Sequence, residues 1–362
     1  MQKEKHEEMH SLTRKFIENQ KIPQTLISTI RLIGERKGRQ DLYREQSPQT
    51  LEIMTQISII QSTESSNRIE GIEVDPARLK ALIEKKTTPI SRSEQEIAGY
   101  RDVLNTIHAN YRNMNLTPGL IRQLHRDMLK FTTSPGGNWK QADNTIEETT
   151  PDGKKLIRFK PVPAFRVNDV MANLNENFDK LLKDSNIEPL FLISAYVFDF
   201  LCIHPFTDGN GRMSRLISLL MLYQAGYEVG RFISLEKIVE ENRETYYDAL
   251  KKSSRNWHEG KHSLIPWWEF FLGVMVLGAY NGFEERVGLI TTSRGSKSIL
   301  VKDTINRLRG EFSVKDIQEK CPNIGIDWIR RILKEEREKG NLECLGRGPN
   351  AKWRRIGTIP IN

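Results

Sequence analysis

The chain has 362 residues, of which 38% are hydrophobic and 28% are charged, with 55 Lys and Arg against 47 Asp and Glu. This composition excludes a membrane-embedded, collagen-like or wholly disordered chain, and the length predicts two or three domains. The three cysteines lie far apart in the sequence, so it offers neither a disulfide framework nor a CxxC metal or redox site.

The first residues carry mixed charges and no apolar segment of the signal-peptide type, which predicts a cytoplasmic protein. The most apolar stretch, residues 264–280, is too short to cross a membrane and contains Pro266 and Glu269. We therefore expect no membrane partner and a buried helix that begins near Pro266. Four aromatic side chains of this helix should enter the core: Trp267, Trp268, Phe270 and Phe271.

Residues 1–110 are predicted to be helical. Five apolar side chains recur there at helical spacing: Leu51, Ile53, Met54, Ile57 and Ile60. Another helix should begin after Ser91, whose hydroxyl can cap it. The middle of the chain has one strong strand signal, residues 155–162, directly after a predicted turn at residues 151–153. A small β-hairpin is thus expected within a mainly α fold.

The C-terminal residues 291–362 hold 16 Lys and Arg but only 9 Asp and Glu, whereas the preceding residues are nearly neutral. Their pattern predicts three short helices and a hairpin of two short segments, around residues 342–345 and 352–356, with residues 346–355 as the wing. One helix should end at Gly340 and bury a single apolar face made of Ile326, Ile329, Ile332 and Leu333. This pattern resembles a winged helix-turn-helix, which implies a DNA partner or, equally, a protein-docking or dimerisation surface.

The sequence thus predicts four parts. Residues 1–110 form an N-terminal helical region and residues 111–286 a helical core. Residues 287–298 form a linker, and residues 299–362 form the winged-helix module.

Residues 204–215, HPFTDGNGRMSR, connect two apolar segments that both read as buried helices. Gly209, Asn210 and Gly211 can present successive backbone N–H groups at the N-terminus of the second helix, where an anion is favoured. Arg212 and Arg215 lie three residues apart and can share a face, so both can bind phosphate oxygens.

Two further side chains of this segment can carry chemistry. Asp208 supplies a hard oxygen ligand suited to Mg²⁺, which proteins usually hold through one or two carboxylates together with substrate phosphates. His204 can accept a proton from an attacking hydroxyl near neutral pH. A site with three protein metal ligands is not expected, because no third ligand lies nearby in the sequence.

HPFTDGNGRMSR matches all eight fixed positions of HxFx(D/E)GNGRxxR, so the chain is identified by resemblance as a Fic-domain protein adenylyltransferase. The resemblance implies a helical core with a β-hairpin flap, transfer of AMP from ATP to a Tyr, Thr or Ser hydroxyl, His204 as the base and Asp208 as the Mg²⁺ ligand. It implies that Gly209, Asn210, Gly211, Arg212 and Arg215 bind the phosphates. The flap, comprising Ile157, Arg158, Phe159 and Lys160, would cover the nucleotide and pair with an extended target segment. Asn242, Tyr246 and Tyr247 match adenine contacts only loosely and could equally be packing residues.

Ser66, Glu70 and Gly71 match the family's inhibitory (S/T)xxxE(G/N) pattern. Gly71 reads as the residue that ends a helix, which leaves the Glu70 carboxylate at the negative end of the helix dipole and in need of a cation. Arg215 is the candidate. The resemblance thus implies an autoinhibited enzyme that modifies itself and a target. Two alternatives stay open: an enzyme that also or mainly removes AMP, and a nucleotide-sensing DNA-binding regulator.

Overall fold

A computed structural model of the chain describes residues 10–362 apart from 47, 135, 150–152, 154, 293–297, 299–300, 303, 307, 309, 322–323, 347, 349–350, 358 and 360–362. The fold is mainly α with two small antiparallel sheets. Residues 38–53 and 281–362 form one compact unit, and the remaining residues form the other. The larger unit runs across the boundary predicted at residue 110.

The first half of the chain contributes six helices and a hairpin to the described structure. They are α1 (Arg14–Glu18), α2 (Gln24–Gln46), α3 (Pro48–Ile69), α4 (Pro76–Ile83), α5 (Arg92–Asn110), α6 (Pro118–Met128), β1 (Ile146–Thr149) and β2 (Lys155–Phe159). As predicted, the Ser91 hydroxyl caps α5 by accepting a hydrogen bond from Glu94 N–H.

The second half begins with α7 (Val167–Leu182), α8 (Pro189–Ile203), α9 (Asn210–Gln224), α10 (Leu235–Glu241) and α11 (Arg243–Ser253). It continues with α12 (Ile265–Trp268), a π-helical stretch (Glu269–Val276) and α13 (Leu277–Thr292). The last three are consecutive, so they form one long helix whose first turn contains Pro266. The four aromatic residues predicted for its core face are buried, which confirms that prediction. No helix within the described residues is long and apolar enough to span a bilayer.

The five apolar residues at helical spacing all lie on α3, which agrees with the predicted helix, but Ile53 and Ile57 are 60% and 42% exposed. The buried face of α3 consists mainly of small polar residues. The hydroxyl of Ser58 donates to the Gly230 carbonyl, and that of Ser62 donates to the Ser234 hydroxyl. Small side chains that form hydrogen bonds can thus replace bulky apolar ones on a packed helix face.

The hairpin is confirmed, but β2 ends at Phe159 rather than at residue 162. Pro161 explains the early end, since proline lacks the N–H that a strand ladder requires. β1 pairs antiparallel with β2, with Glu147 opposite Ile157 and Thr149 opposite Lys155. Two of the three residues of the predicted turn, 151 and 152, lie outside the described residues.

The C-terminal unit contains β3 (Glu311–Phe312), α14 (Val314–Lys320), α15 (Ile326–Glu338), β4 (Leu342–Cys344) and β5 (Trp353–Arg355), with sheet order β3-β5-β4. Ile329, Ile332 and Leu333 are buried as predicted. Ile326 is exposed because it lies in the first turn of α15, beyond the cluster that covers the rest of the face. Residues 347, 349 and 350 lie outside the described residues, so the wing stays a prediction.

Candidate active site

The residues of the motif HPFTDGNGRMSR occupy the junction of α8 and α9. Nearly every side chain of α8 is buried, because this helix is apolar on all faces and lies at the centre of the fold. It ends at His204, whose φ of +50° is left-handed, and α9 begins after Gly209 at φ +79°. His204 and Asp208 therefore lie on a short loop between two buried helices. We call this loop, residues 204–209, the motif loop.

The motif loop is held by Asn210, the first residue of α9. Its amide oxygen accepts from Phe206 N–H at 2.9 Å, and its amide nitrogen donates to the Phe206 carbonyl at 2.8 Å. The side chain of Asn210 is thus committed to the loop, while the N-terminus of α9 at Gly211 faces the cavity described below.

The motif loop is also held from outside by His125 of α6. The Nδ1 atom accepts from Gly137 N–H at 2.9 Å, so Nε2 carries the proton and donates to the Asp208 carbonyl at 3.0 Å. The ring stacks on Phe206 at 3.7 Å. Burial lowers the pKa of His125 to about 4, so the imidazole is neutral near pH 7.

A cavity of about 710 Å³ opens beside the motif loop. Four of the predicted site residues that line it are His204, Gly211, Arg215 and Glu70. Other walls come from the hairpin, through Arg158 and Phe159, and from α11, through Tyr246 and Tyr247. The structure therefore brings residues from five separate parts of the chain to one cavity.

His204 faces this cavity from the end of α8. Its Nδ1 lies 3.4 Å from the Leu201 carbonyl. Because a carbonyl only accepts hydrogen bonds, Nδ1 carries the proton and Nε2 keeps a free lone pair. Burial lowers the pKa of His204 to about 4, and the positive charges of Lys140 and Arg158 act in the same direction. The imidazole is thus neutral at pH 7 and able to accept a proton.

Arg215 of α9 is buried and holds the end of α3. Its Nε donates to the Ser66 hydroxyl at 2.8 Å, and its Nη2 donates to the Ser66 carbonyl at 2.8 Å and to Glu70 Oε1 at 2.7 Å. Gly71, at φ +78°, ends α3 as predicted. Gly71 N–H bonds the Arg68 carbonyl and Ile72 N–H bonds the Asn67 carbonyl, which is the Schellman pattern.

The Glu70 carboxylate also lies over the N-terminus of α9. A methyl group at Gly211 would stand 2.3 Å from Glu70 Oε1, so only glycine allows this approach. The carboxylate therefore meets two sources of positive potential, the Arg215 guanidinium and the helix N-terminus. Any other anion that binds both the guanidinium and the helix N-terminus must displace the Glu70 carboxylate.

Arg212 lies on a different side of α9 from the cavity. Its guanidinium is almost fully buried and donates to Glu96 of α5 at 2.6 Å, and its Nη2 lies 3.6 Å from Asp208 Oδ2. The Asp208 side chain is 61% exposed, and its Oδ1 accepts from Gly209 N–H at 2.6 Å. A carboxylate oxygen that reaches solvent at a helix N-terminus suits Mg²⁺ shared with phosphates.

The remaining predicted residues divide between the cavity and its surroundings. Tyr246 is buried and Tyr247 packs against it, with the Arg158 and Arg243 guanidinium groups each 5.7 Å from the Tyr247 ring. Asn242 instead bonds the Ile238 carbonyl at the end of α10. On the hairpin, Ile157 is 56% exposed and the Lys160 carbonyl accepts from His258.

Sequence reasoning missed the residues that support the motif, namely Glu96, His125, Lys140 and Asn144. Each contacts the motif loop or α9 from far away in the sequence. The paired Gly136-Gly137 after α6 is a signal that could have marked this segment, since a Cβ at Gly136 would clash with the backbone of α6.

Residues 115–222 match the sequence model of the Fic/DOC family. These residues form a Fic domain. The match includes α6, the hairpin, α8, the motif loop and nearly all of α9, so it covers His125, Lys140 and Asn144 as well as the motif. Glu96 of α5 lies outside the match.

The curated relatives that the chain matches are also named as Fic proteins. The chain is 26% identical over 199 residues to the protein adenylyltransferase Fic of Nematostella vectensis, a match that covers 52% of this chain and 42% of that protein. It is 26% identical over 198 residues to the protein adenylyltransferase Fic of Aedes aegypti, covering 53% of this chain and 36% of that one. The chain thus spans less than half the length of these relatives.

Solved structures share the fold. A Fic family protein from Desulfovibrio desulfuricans G20 superposes with a TM-score of 0.61 at 21% identity, over 94% of this chain and 98% of that one. A Fic domain-containing signalling protein from Bacteroides thetaiotaomicron VPI-5482 gives 0.58 at 18% identity, over 72% of this chain and 98% of that one.

Proposed function

We propose that this protein transfers AMP from ATP to a Tyr, Thr or Ser hydroxyl of a target protein and of itself. The observation that carries the proposal is the cavity that joins His204, the N-terminus of α9 and Arg215. A neutral imidazole with a free Nε2 stands at one side, and two groups that attract anions stand at the other.

The reaction follows from these groups. The target hydroxyl oxygen attacks the α-phosphorus of ATP while Nε2 of His204 accepts its proton. A bond forms between this oxygen and the α-phosphorus, and the bond from the α-phosphorus to the bridging oxygen breaks, so pyrophosphate leaves. The backbone N–H groups at Gly211 stabilise negative charge on the phosphates, and Arg215 binds the γ-phosphate once Glu70 releases it.

Mg²⁺ fits the donor set at Asp208. The carboxylate would hold the ion together with the phosphates, and the bound ion neutralises phosphate charge. Arg212 is buried between Glu96 and Asp208 and away from the cavity, so it is proposed to keep the Asp208 side chain oriented rather than to bind the phosphates directly. The tyrosines of α11 offer an aromatic wall for the base of the nucleotide.

Glu70 is proposed to keep the enzyme inhibited. Its carboxylate occupies the position that the outer phosphate of ATP would take, since both need Arg215 and the N-terminus of α9. The resulting competition forces ATP either to displace Glu70 or to bind with its phosphates out of line for attack.

ATP labelled on either phosphate tests the reaction. The Glu70→Gly variant should incorporate label from α-labelled ATP into protein and none from γ-labelled ATP. His204→Ala in the same background should incorporate neither. Incorporation from γ-labelled ATP would show phosphate transfer instead. Salt-sensitive binding to a defined DNA site without label transfer would favour a nucleotide-sensing regulator.

A further inference from the structure

Lys140 is a buried lysine that no step of the proposed reaction uses. Lys140 is 2% exposed, although lysine is almost never fully buried unless it is paired. The Nζ atom donates to Asn144 Oδ1 at 2.7 Å and lies 3.4 Å from the Ile203 carbonyl. Burial lowers the pKa of Lys140 to about 8, so the ammonium is still largely protonated at pH 7.

The contacts of Lys140 bracket His204. The side chain reaches the carbonyl of Ile203, the residue before the histidine, and the backbone N–H donates at 2.9 Å to the carbonyl of Pro205, the residue after it. Asn144, which binds the ammonium, in turn donates to the Phe206 carbonyl. One short segment thus binds the carbonyls of three residues around His204, namely Ile203, Pro205 and Phe206.

The backbone of His204 needs this support. Its φ of +50° lies in the left-handed region, which is unfavourable for a residue with a Cβ. Such a conformation persists only where the surroundings hold it, and the direction of the imidazole depends on it. A shift of the carbonyls at 203 or 205 would turn the ring away from the cavity.

We propose that Lys140 is a positioning residue for His204: it holds the backbone on both sides of the histidine and places a buried positive charge near the imidazole. The proposal rests on the proposed function in taking His204 as the base. The charge disfavours protonation of the ring, so the imidazole stays a proton acceptor in acidic solution.

Other charged groups also act on His204. Arg158 of β2 adds to the effect of Lys140, whereas Glu70 at the end of α3 opposes it. The cavity wall carries further charges on α9, β1 and α11: Arg215, Arg243, Lys251, Glu147, Glu148, Glu244 and Asp248. Among the groups with a direct effect on the ring, Lys140 is the one that also holds the adjoining backbone.

Three substitutions separate the two parts of the proposal. Lys140→Gln removes the charge but keeps a hydrogen-bond donor, Lys140→Met removes both, and Lys140→Arg keeps the charge. All leave the backbone N–H of residue 140 in place. Each is made in the full chain with and without Glu70→Gly.

The first measurement is the NMR titration of the His204 ring, assigned by the signal that His204→Ala loses. We expect Lys140→Gln and Lys140→Met to raise the midpoint of the His204 titration by roughly 0.5 to 1 pH unit, and Lys140→Arg to leave the midpoint near the wild-type value. The midpoint is read only where circular dichroism shows folded protein. If Met does not fold, the comparison of Gln with Arg decides. An unchanged midpoint in Gln, or an equal shift in Gln and Arg, overturns the role of the charge.

The second measurement is AMP transfer at pH 7, where the ring is neutral in every variant, so that rate reports positioning alone. Lys140→Met should lower kcat by about tenfold or more with an unchanged KM for ATP, and Lys140→Gln should lower kcat less. The kcat of Lys140→Arg should stay close to that of the parent. Equal kcat in all variants overturns the positioning role. Absence of AMP transfer from the parent itself refutes the proposed function, while the ring titration still decides the effect of Lys140.

Discussion

Oε1 of Glu70 lies 2.7 Å from Nη2 of Arg215, and the same oxygen would stand 2.3 Å from a methyl group at Gly211. These two residues come from α3 and α9 and are separated by 145 positions in the sequence. The carboxylate is about one third exposed, so it can leave the pair without unfolding the core. An ATP phosphate would compete with it for the same guanidinium.

Replacing Glu70 should activate the enzyme. We expect Glu70→Gly to raise AMP transfer at least tenfold, because a charge-assisted contact worth about 1.5 to 3 kcal/mol no longer competes with phosphate. The rate is measured at saturating Mg-ATP on one target. Glu73→Gly, the same substitution in the exposed segment after α3, should leave the rate unchanged.

Arg215 should matter once Glu70 is removed. Adding Arg215→Ala to Glu70→Gly should lower AMP transfer again, because the γ-phosphate loses its guanidinium partner. The KM for ATP should rise as well. If wild type and Glu70→Gly transfer AMP at equal rates, residues 66–71 form an ordinary helix end with no inhibitory role.

His204→Ala should abolish AMP transfer and leave ATP binding largely intact, because the imidazole acts on the hydroxyl and the phosphates are held elsewhere. Loss of a general base costs about 10² to 10⁴ in rate. Calorimetric titration with Mg-ATP checks binding, and label transfer checks the rate. A variant with near wild-type transfer would contradict the assigned role.

The rate should depend little on pH between about 6 and 8. A histidine ring accepts a proton only when it is neutral, and the pKa of about 4 keeps the His204 ring neutral over this range. As the pH falls through that value, the ring protonates and activity is lost. A rate that halves near pH 6.5 would show that the ring is solvated like a free histidine.

His125→Ala should lower the free energy of unfolding near pH 7 by about 2 to 4 kcal/mol, because it removes a buried ring and leaves the Gly137 N–H and the Asp208 carbonyl without their partner. The pKa of His125 is about 4 when folded and near 6.5 when unfolded, so the unfolded chain binds more protons between these values. The contribution of His125 therefore falls as the pH falls from 6.5 towards 4. Denaturant titrations at pH 7 and pH 5 should show a smaller difference between wild type and variant at pH 5.

Residues 293–362 should be dispensable for self-modification. Every residue assigned to the cavity precedes residue 292, and a chain that ends at Thr292 keeps α13 with its Glu284–Arg39 ion pair. Removal should change the choice of partner instead. A folded, soluble protein of this length that fails to bind Mg-ATP would contradict the expectation.

The sequence predicts the local features of the site well. The two buried helices on either side of the motif loop, the Ser91 cap and the end of α3 at Gly71 all follow from neighbouring residues. The Glu70–Arg215 pair is predicted because the inhibitory pattern suggests it, whereas the other contacts between distant segments follow only from the fold. Arg212 donates to Glu96, which lies 116 positions away in the sequence, and no local sequence pattern at either residue predicts this contact.

The same limit applies to the packed face of α3. Periodicity identifies the helix but cannot show which face is packed, because the packed face uses serine hydroxyls rather than apolar side chains. Ile53 and Ile57 satisfy the helical spacing and yet remain exposed.

The left-handed backbone at His204 is unfavourable for a residue with a Cβ, so conformational preference does not explain a histidine at this position. A glycine there would adopt the same φ more easily and keep every backbone contact to Lys140. Relief of backbone strain would offset part of the packing lost with the ring. A chain of this fold can therefore lose proton transfer while remaining folded, and fold similarity alone does not separate an active member from an inactive one.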